Sequence, residues 1–318
     1  MGNRRIVFGT VTLNPCIDKT VTVKEFTVSG LNRVISSFQQ PAGKGINSSI
    51  AFNNLGGNTF CTGINYSLNK SVLEKFLDSK NIKYDFFTVP GELRTNLKIF
   101  DLQKNEVTEI NERGHKVPDD FEDKFLSKIV ELSDGFDVLL LAGSVPQGVN
   151  KDIYEKLINS VKKPGLKVIL DADGEFFANG IKALPHIIKP NKYELELYIG
   201  ETLGSDEEIA RVSRREFIEK GIEIVCVSMG PEGAVIVDDN SAYRAEGIKV
   251  DVKGTVGAGD SMVAGIVYGI DRGYELDGLL RSAVASATAS IVKEGTELCD
   301  LEGYNKFFPI VDIRPIKI

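Results

Sequence analysis

The chain is expected to fold as an α/β protein, with a mainly parallel sheet flanked by helices and a small inserted β-sheet. Three observations predict this. Short apolar runs at 137–142, 167–171 and 223–228 alternate with stretches of helical periodicity, as strands buried on both faces do. Two glycine-rich turns, at 41–47 and 255–260, open directly into helical stretches. Two further segments, 19–38 and 84–111, alternate apolar and polar residues, the period of a half-exposed strand.

The N-terminal stretch RRIVFGTVTL reads straight into a strand rather than a signal peptide. After the first glycine turn a helix is expected over 48–55. Segments 19–38 and 84–111 read as antiparallel strands of a separate sheet beside the core, so the core comprises 1–18, 39–83 and 112–318. Such a sheet suits a lid, a dimer surface, or decoration at an edge. Asn150 is placed to cap a helix running through Ile153, Leu157 and Val161. A further helix is expected near Asn191, and another over 211–220, closed by Gly221.

Composition bounds the function. The formal net charge of −7 leaves no basic surplus to neutralise a nucleic-acid backbone. The four cysteines are far apart and form no CxxC pair, and the two histidines are isolated. A thiolate metal site or a histidine triad is therefore not expected. No apolar run is long enough to span a bilayer, and the expected location is the cytoplasm.

The residues able to carry chemistry lie at turns. Thr255-Val256-Gly257-Ala258-Gly259-Asp260 precedes a helical stretch. A helix N-terminus presents unpaired N–H groups and a partial positive charge, which attract phosphate. Asp260 is then either a base taking a proton from an attacking hydroxyl or a helix cap. Gly43, Lys44 and Asn47 lie in the other glycine turn, which is neither a Walker A loop nor a dinucleotide fingerprint. Lys44 is either near an anion or a solvated turn residue. Asp18 follows the first strand, where it would accept sugar hydroxyls or close an Asx turn. Arg33 and Arg94 lie in the inserted segments, where a lid would bring them over a phosphate. Asn191 and Glu194, three apart, suit either a water-held Mg²⁺ or a capping box. Ser228 and Gly230 follow a buried strand and either contact a nucleotide or form a hairpin.

Together these residues resemble the PfkB family of sugar kinases, of ribokinase-like fold. The likeness rests on Ala42-Gly43-Lys44-Gly45-Ile46-Asn47 and on the run from Thr255 to Met262. Leu13-Asn14-Pro15…Asp18, Gly143-Ser144-Val145-Pro146 and Lys189-Pro190-Asn191…Glu194 add to it. Within the family, Leu31-Asn32-Arg33 is similar to the branches that phosphorylate fructose 1-phosphate and tagatose 6-phosphate, and Arg94-Thr95-Asn96-Leu97-Lys98 is closer to the fructose 1-phosphate branch, with tagatose 6-phosphate or fructose 6-phosphate as alternatives.

The resemblance implies ATP and Mg²⁺, with a monovalent cation such as K⁺ near Gly254, Val256, Ser290 and Gly295. Asp260 would be the base, and the N–H groups of Gly257, Ala258 and Gly259 an anion hole. Asp18, Gly43, Lys44 and Asn47 would hold the sugar. Arg33, Arg94 and Lys98 would hold its phosphate. Lys189, Asn191, Ser228 and Gly230 would face the nucleotide, and Asn191 and Glu194 the metal. A homodimer through the β lid is also implied. Ala42 in place of a first glycine, and Asp173 in place of a serine, depart from the family pattern.

Overall fold

The computed structural model describes residues 5–317; residues 1–4, at the head of the N-terminal reading, lie outside them. In chain order the elements begin with β1 (Val7–Thr12), β2 (Cys16–Val23), β3 (Val34–Ala42), α1 (Lys44–Asn54), β4 (Asn58–Tyr66), α2 (Lys70–Ser79) and β5 (Lys83–Val89). There follow β6 (Arg94–Asp101), β7 (Glu106–Asn111), α3 (Phe121–Ser133), β8 (Val138–Ala142), α4 (Ile153–Val161), β9 (Lys167–Asp171), α5 (Gly174–Gly180), β10 (Ile187–Ile188) and α6 (Lys192–Ile199). The remainder comprises α7 (Asp206–Glu216), β11 (Ile224–Ser228), β12 (Gly233–Val237), β13 (Ala242–Glu246), α8 (Ala258–Arg272), α9 (Leu276–Ile291), α10 (Leu301–Phe307) and β14 (Ile313–Pro315).

The large sheet runs β14-β13-β12-β11-β10-β9-β8-β1-β4-β5. From β5 to β11 all neighbours are parallel; β12, β13 and β14 extend it antiparallel. Every residue of β8 is buried, as expected of a strand covered on both faces. Helices α1, α8, α9 and α10 pack on one another, and α3, α4, α5 and α6 form a second group. One continuous core joins the sheet to both groups.

Strand β1 lies between β4 and β8, so the chain leaves it in both directions across the sheet. A crevice opens at the carboxyl ends of the strands at such a point. The Leu13–Asp18 region and the start of α1 sit there.

The small sheet has the order β3-β2-β6-β7. Its own apolar cluster is Val21, Val23 and Ile99, with Phe26 and Leu97 against it.

Five sequence expectations require correction. Tyr84 to Val89 belongs to β5 on the edge of the large sheet, paired with β4; an edge strand alternates in burial just as a small-sheet strand does. The β2–β6 pair is parallel, because the chain crosses through α1, β4, α2 and β5 between them. Helix α1 begins at Lys44, directly after Gly43, rather than at Ser48. Asn150 does not cap α4: Asp152 occupies that position without a side-chain cap bond, and Asn150 contributes only its carbonyl, to Ile153 N–H. The expected 211–220 helix is instead the end of α7 plus a separate 3₁₀ turn, Ile218–Lys220, which Gly221 closes in the left-handed region.

Candidate active site

The site grows from the end of β1. Thr12 Oγ1 accepts the Ile46 N–H at 3.1 Å, pinning α1 against the strand. Gly45 permits this approach: a Cβ there would lie 2.5 Å from Thr12 Oγ1. The first turn of α1 thereby holds Lys44 and Asn47 over the crevice.

Lys44 Nζ lies 2.8 Å from Asp171 Oδ1, and Lys189 Nζ lies 3.3 Å from Asp171 Oδ2. Asp171 ends the buried strand β9 and Lys189 follows β10, so neighbouring strand ends bring these charges together. Burial opposes the charge on Asp171, yet Lys189 and Lys44 outweigh it and hold the carboxyl below its usual range. Burial likewise opposes the Lys44 ammonium, but Asp171 carries its pKa above the ordinary lysine value. Two fixed cations thus share this one anion beside the crevice.

Helix α8 supplies the other wall. Gly257 is its cap residue at φ 75° with no side-chain cap bond. This left-handed conformation suits glycine, and a Cβ there would fall on Leu298 Cδ2. The cap reading of Asp260 therefore fails: Asp260 sits inside the first turn. Its Oδ2 accepts from Asn47 Nδ2 at 2.8 Å, and Ser48 Oγ donates to its backbone carbonyl at 3.1 Å. Burial, then the charge of Asp171, pushes its pKa up to about 6; Lys44, the Asn47 hydrogen bond and Lys189 pull the other way. It is a carboxylate at neutral pH with raised basicity, as a general base needs.

Between the α1 turn and the small sheet lies a cavity of about 260 Å³, lined in part by Asp18, Gly43, Lys44, Asn47 and Arg94. Asp18 lies within β2, not in an Asx turn. Its Oδ1 accepts from Asn96 Nδ2 at 3.0 Å, and Lys98 Nζ lies 3.3 Å from its Oδ2. Arg94 Nη1 donates to Asn96 Oδ1 and to the Glu112 carbonyl, both at 2.8 Å. Two expected residues are placed differently. Arg33 is exposed in the β2–β3 connection and does not line the cavity. Lys98 is buried on Asp18, so its ammonium serves that carboxylate rather than presenting itself to a phosphate.

A second groove, of about 520 Å³, is lined in part by Asn191, Tyr193, Ser228, Met229 and Gly230. Asn191 and Ser228 bridge their strands' ends. The capping box is formed: Asn191 Oδ1 accepts from Glu194 N–H and Glu194 Oε2 from Asn191 N–H, each at 2.8 Å. Asn191 Oδ1 is thus committed to the backbone, while Glu194 keeps one carboxylate oxygen outside the box. That oxygen suits a Mg²⁺ held mostly by water and phosphate. Gly254 N–H donates to Ile291 C=O at 3.3 Å, the Gly295 carbonyl lies close by, and Ser290 Oγ accepts from Ser261.

Asp171, Asn96 and Cys16 had been assigned no role from sequence, although the structure sets all three at the crevice. For Asp171 the available signal was a charge ending an otherwise apolar strand.

A raised carboxyl base, held beside a helix N-terminus and two lysines at the mouth of a polar cavity, has the parts needed to move a phosphoryl group onto a hydroxyl. The fold and this site together define an ATP-dependent carbohydrate kinase. Residues 11–302 match the family model described as pfkB family carbohydrate kinase, and the chain belongs to that family. It is 35% identical over 290 residues to the 1-phosphofructokinase of Bacillus subtilis (strain 168), covering 91% of this chain and 94% of the relative. With the 1-phosphofructokinase of Escherichia coli (strain K12) it shares 30% identity over 314 residues, covering 98% and 99%. Among solved structures, phosphofructokinase-2 from Escherichia coli in complex with potassium superposes with a TM-score of 0.89 at 25% identity, covering 96% of this chain and 99% of that one.

Proposed function

We propose that this protein transfers the γ-phosphoryl group of ATP to the 6-hydroxyl of fructose 1-phosphate, giving fructose 1,6-bisphosphate and ADP. The observation that carries the reading is Asp260: buried, basic for a carboxylate, and hydrogen-bonded to Asn47, which lines the sugar-sized cavity. The 1-phosphofructokinase names of the full-length relatives support the choice of sugar.

Asp18, Gly43, Lys44 and Asn47 hold the sugar, and Arg94 its phosphate. Arg33 joins only if the β2–β3 connection moves. Asp260 removes the hydroxyl proton as the sugar oxygen attacks phosphorus and the bond to the leaving ADP breaks. Lys44, Lys189 and the N–H groups from Gly257 to Gly259 spread over the charge of the transferring group. Lys189, Asn191, Ser228 and Gly230 face the nucleotide, with Glu194 and Asn191 on the metal side. Mg²⁺ bound there neutralises phosphate charge. Carbonyls near Gly254, Ile291 and Gly295 are the candidate ligands of a monovalent cation, a reading supported by the potassium in the Escherichia coli structure.

The 16–42 and 94–111 strands act as the lid. It exposes Ile35, Phe38, Val107 and Ile110, apolar surface that a homodimer would cover, which light scattering after gel filtration tests. No helix among the described residues is long and apolar enough to cross a membrane, and the cytoplasm is the expected location.

The deciding experiment is ADP release with fructose 1-phosphate, fructose 6-phosphate and tagatose 6-phosphate. Fructose 1-phosphate should give the highest kcat/KM. A higher value for either rival reassigns the substrate, and phosphosugar binding without ADP release marks a sensor rather than an enzyme.

A further inference from the structure

One row of side chains crosses the floor of the lid, and its meaning rests on the kinase reading above. In the parallel β2–β6 register Asp18 stands opposite Asn96 and Thr20 opposite Lys98. Side chains alternate along a strand, so Arg94, Asn96 and Lys98 share one face of β6. The other face carries Leu97 and Ile99, packed with Val21 and Val23, which anchors the row from behind.

Along the row the contacts are continuous. Arg94 Nη1 donates to Asn96 Oδ1 at 2.8 Å, Asn96 Nδ2 donates to Asp18 Oδ1 at 3.0 Å, and Lys98 Nζ closes on Asp18 Oδ2 at 3.3 Å. Asn96 Nδ2 also lies 3.1 Å from Cys16 Sγ. Arg94 carries two further holds, from Nε to the Asn14 carbonyl at 3.3 Å and from Nη1 to the Glu112 carbonyl at 2.8 Å.

We propose that Asn96 is a positioning residue that sets substrate specificity, by fixing the gap between the Arg94 guanidinium and the Asp18 carboxylate. Arg94 meets the phosphate of the sugar and Asp18 its hydroxyls, so the gap selects phosphosugars by the spacing of those two features. An amide is the side chain for this task, because it accepts from the guanidinium while donating to the carboxylate. A carboxylate in its place would repel Asp18, and an apolar group would leave Arg94 on the Asn14 and Glu112 carbonyls and Asp18 on Lys98, with nothing tying one charge to the other. Lys98 occupies the second oxygen of Asp18 and offsets its charge, which lessens repulsion of an incoming phosphate.

The test uses Asn96→Leu and Asn96→Ala in the full chain, with KM and kcat for the three phosphosugars and for ATP. Losing hydrogen bonds to two charged groups should raise the KM of the preferred phosphosugar by about tenfold or more. The kcat/KM ratio between the first and second phosphosugar should shrink, while ATP KM stays near wild type. Phosphosugar KM and ratio unchanged in both variants overturn the proposal. So does a parallel rise in ATP KM, which marks general damage. The substrate assignment is judged on the wild type alone, and the Asn96 comparison is made on whichever phosphosugar the wild type prefers. Calorimetric binding supplies the same ratio if turnover is absent.

Discussion

Asp260→Asn separates what this carboxylate does for catalysis from what it costs the fold. The amide is nearly isosteric and can still accept from Asn47 Nδ2, which now reaches Asp260 Oδ2 at 2.8 Å. Loss of a general base should lower kcat by about 10²–10⁴-fold, with phosphosugar and ATP KM little changed. Stability should move the other way. Holding the carboxyl near 6, against 3.8 for an ordinary aspartate, disfavours the folded state by up to about 3 kcal/mol once the group is ionised. The sign follows from the raised pKa. Below 3.8 the group is protonated in both states and costs nothing. As pH rises through 3.8 the unfolded chain ionises first, and the penalty is complete above about 6. The variant should therefore melt higher than wild type at pH 8, with the advantage fading as pH falls from 6 toward 4. Wild-type kcat should fall over the acid side of about pH 6 as the base is protonated. Urea melts and a pH–rate profile measure both. A variant with near-normal turnover, or one less stable than wild type at pH 8, would refute the reasoning.

Three further outcomes follow from the geometry. Gly257→Ala forces an alanine to φ 75° and its Cβ onto Leu298; it should lose about 1–2 kcal/mol from the backbone alone and more from the clash, with a fall in kcat, read by melting and steady-state kinetics. Asp171→Asn leaves Lys44 and Lys189 sharing a neutral amide; a loss of about 3–5 kcal/mol is expected. In whatever folds, the acid limb of kcat should move to lower pH, since a negative neighbour that raises Asp260 is gone; an unmoved limb refutes that coupling. Glu194→Gln can keep the capping box but removes the free carboxylate charge; the Mg²⁺ concentration for half-maximal rate should rise while the unfolding free energy stays within about 0.5 kcal/mol of wild type, and an unchanged Mg²⁺ dependence removes Glu194 from the metal side.

Local chemistry explains which features were legible beforehand. The buried strands β8, β9 and β11 are marked by continuous apolar runs, and the two helix starts by their glycines. The Asn191–Glu194 capping box is a three-residue spacing and needed no tertiary information. Misreadings arose where one local pattern serves two contexts. Alternation in 84–89 fits an edge strand of either sheet, and only pairing with β4 assigns it. Lys98 is a phosphate ligand by resemblance alone; what the sequence did not show is that the β2–β6 register buries it beside Asp18.

By itself the sequence determined the α/β class, the two glycine turns and the types of residue able to move a phosphoryl group, since periodicity, capping and turn chemistry act over a few neighbours. Only the tertiary structure decided that Asp260 lies buried inside the first turn of α8 on Asn47 and not at the cap, that Asp171 joins Lys44 to Lys189, and that Asn96 links Arg94 to Asp18. Each depends on charges brought together from distant segments, where burial and mutual fields set protonation and orientation, and none is encoded in any single stretch of chain.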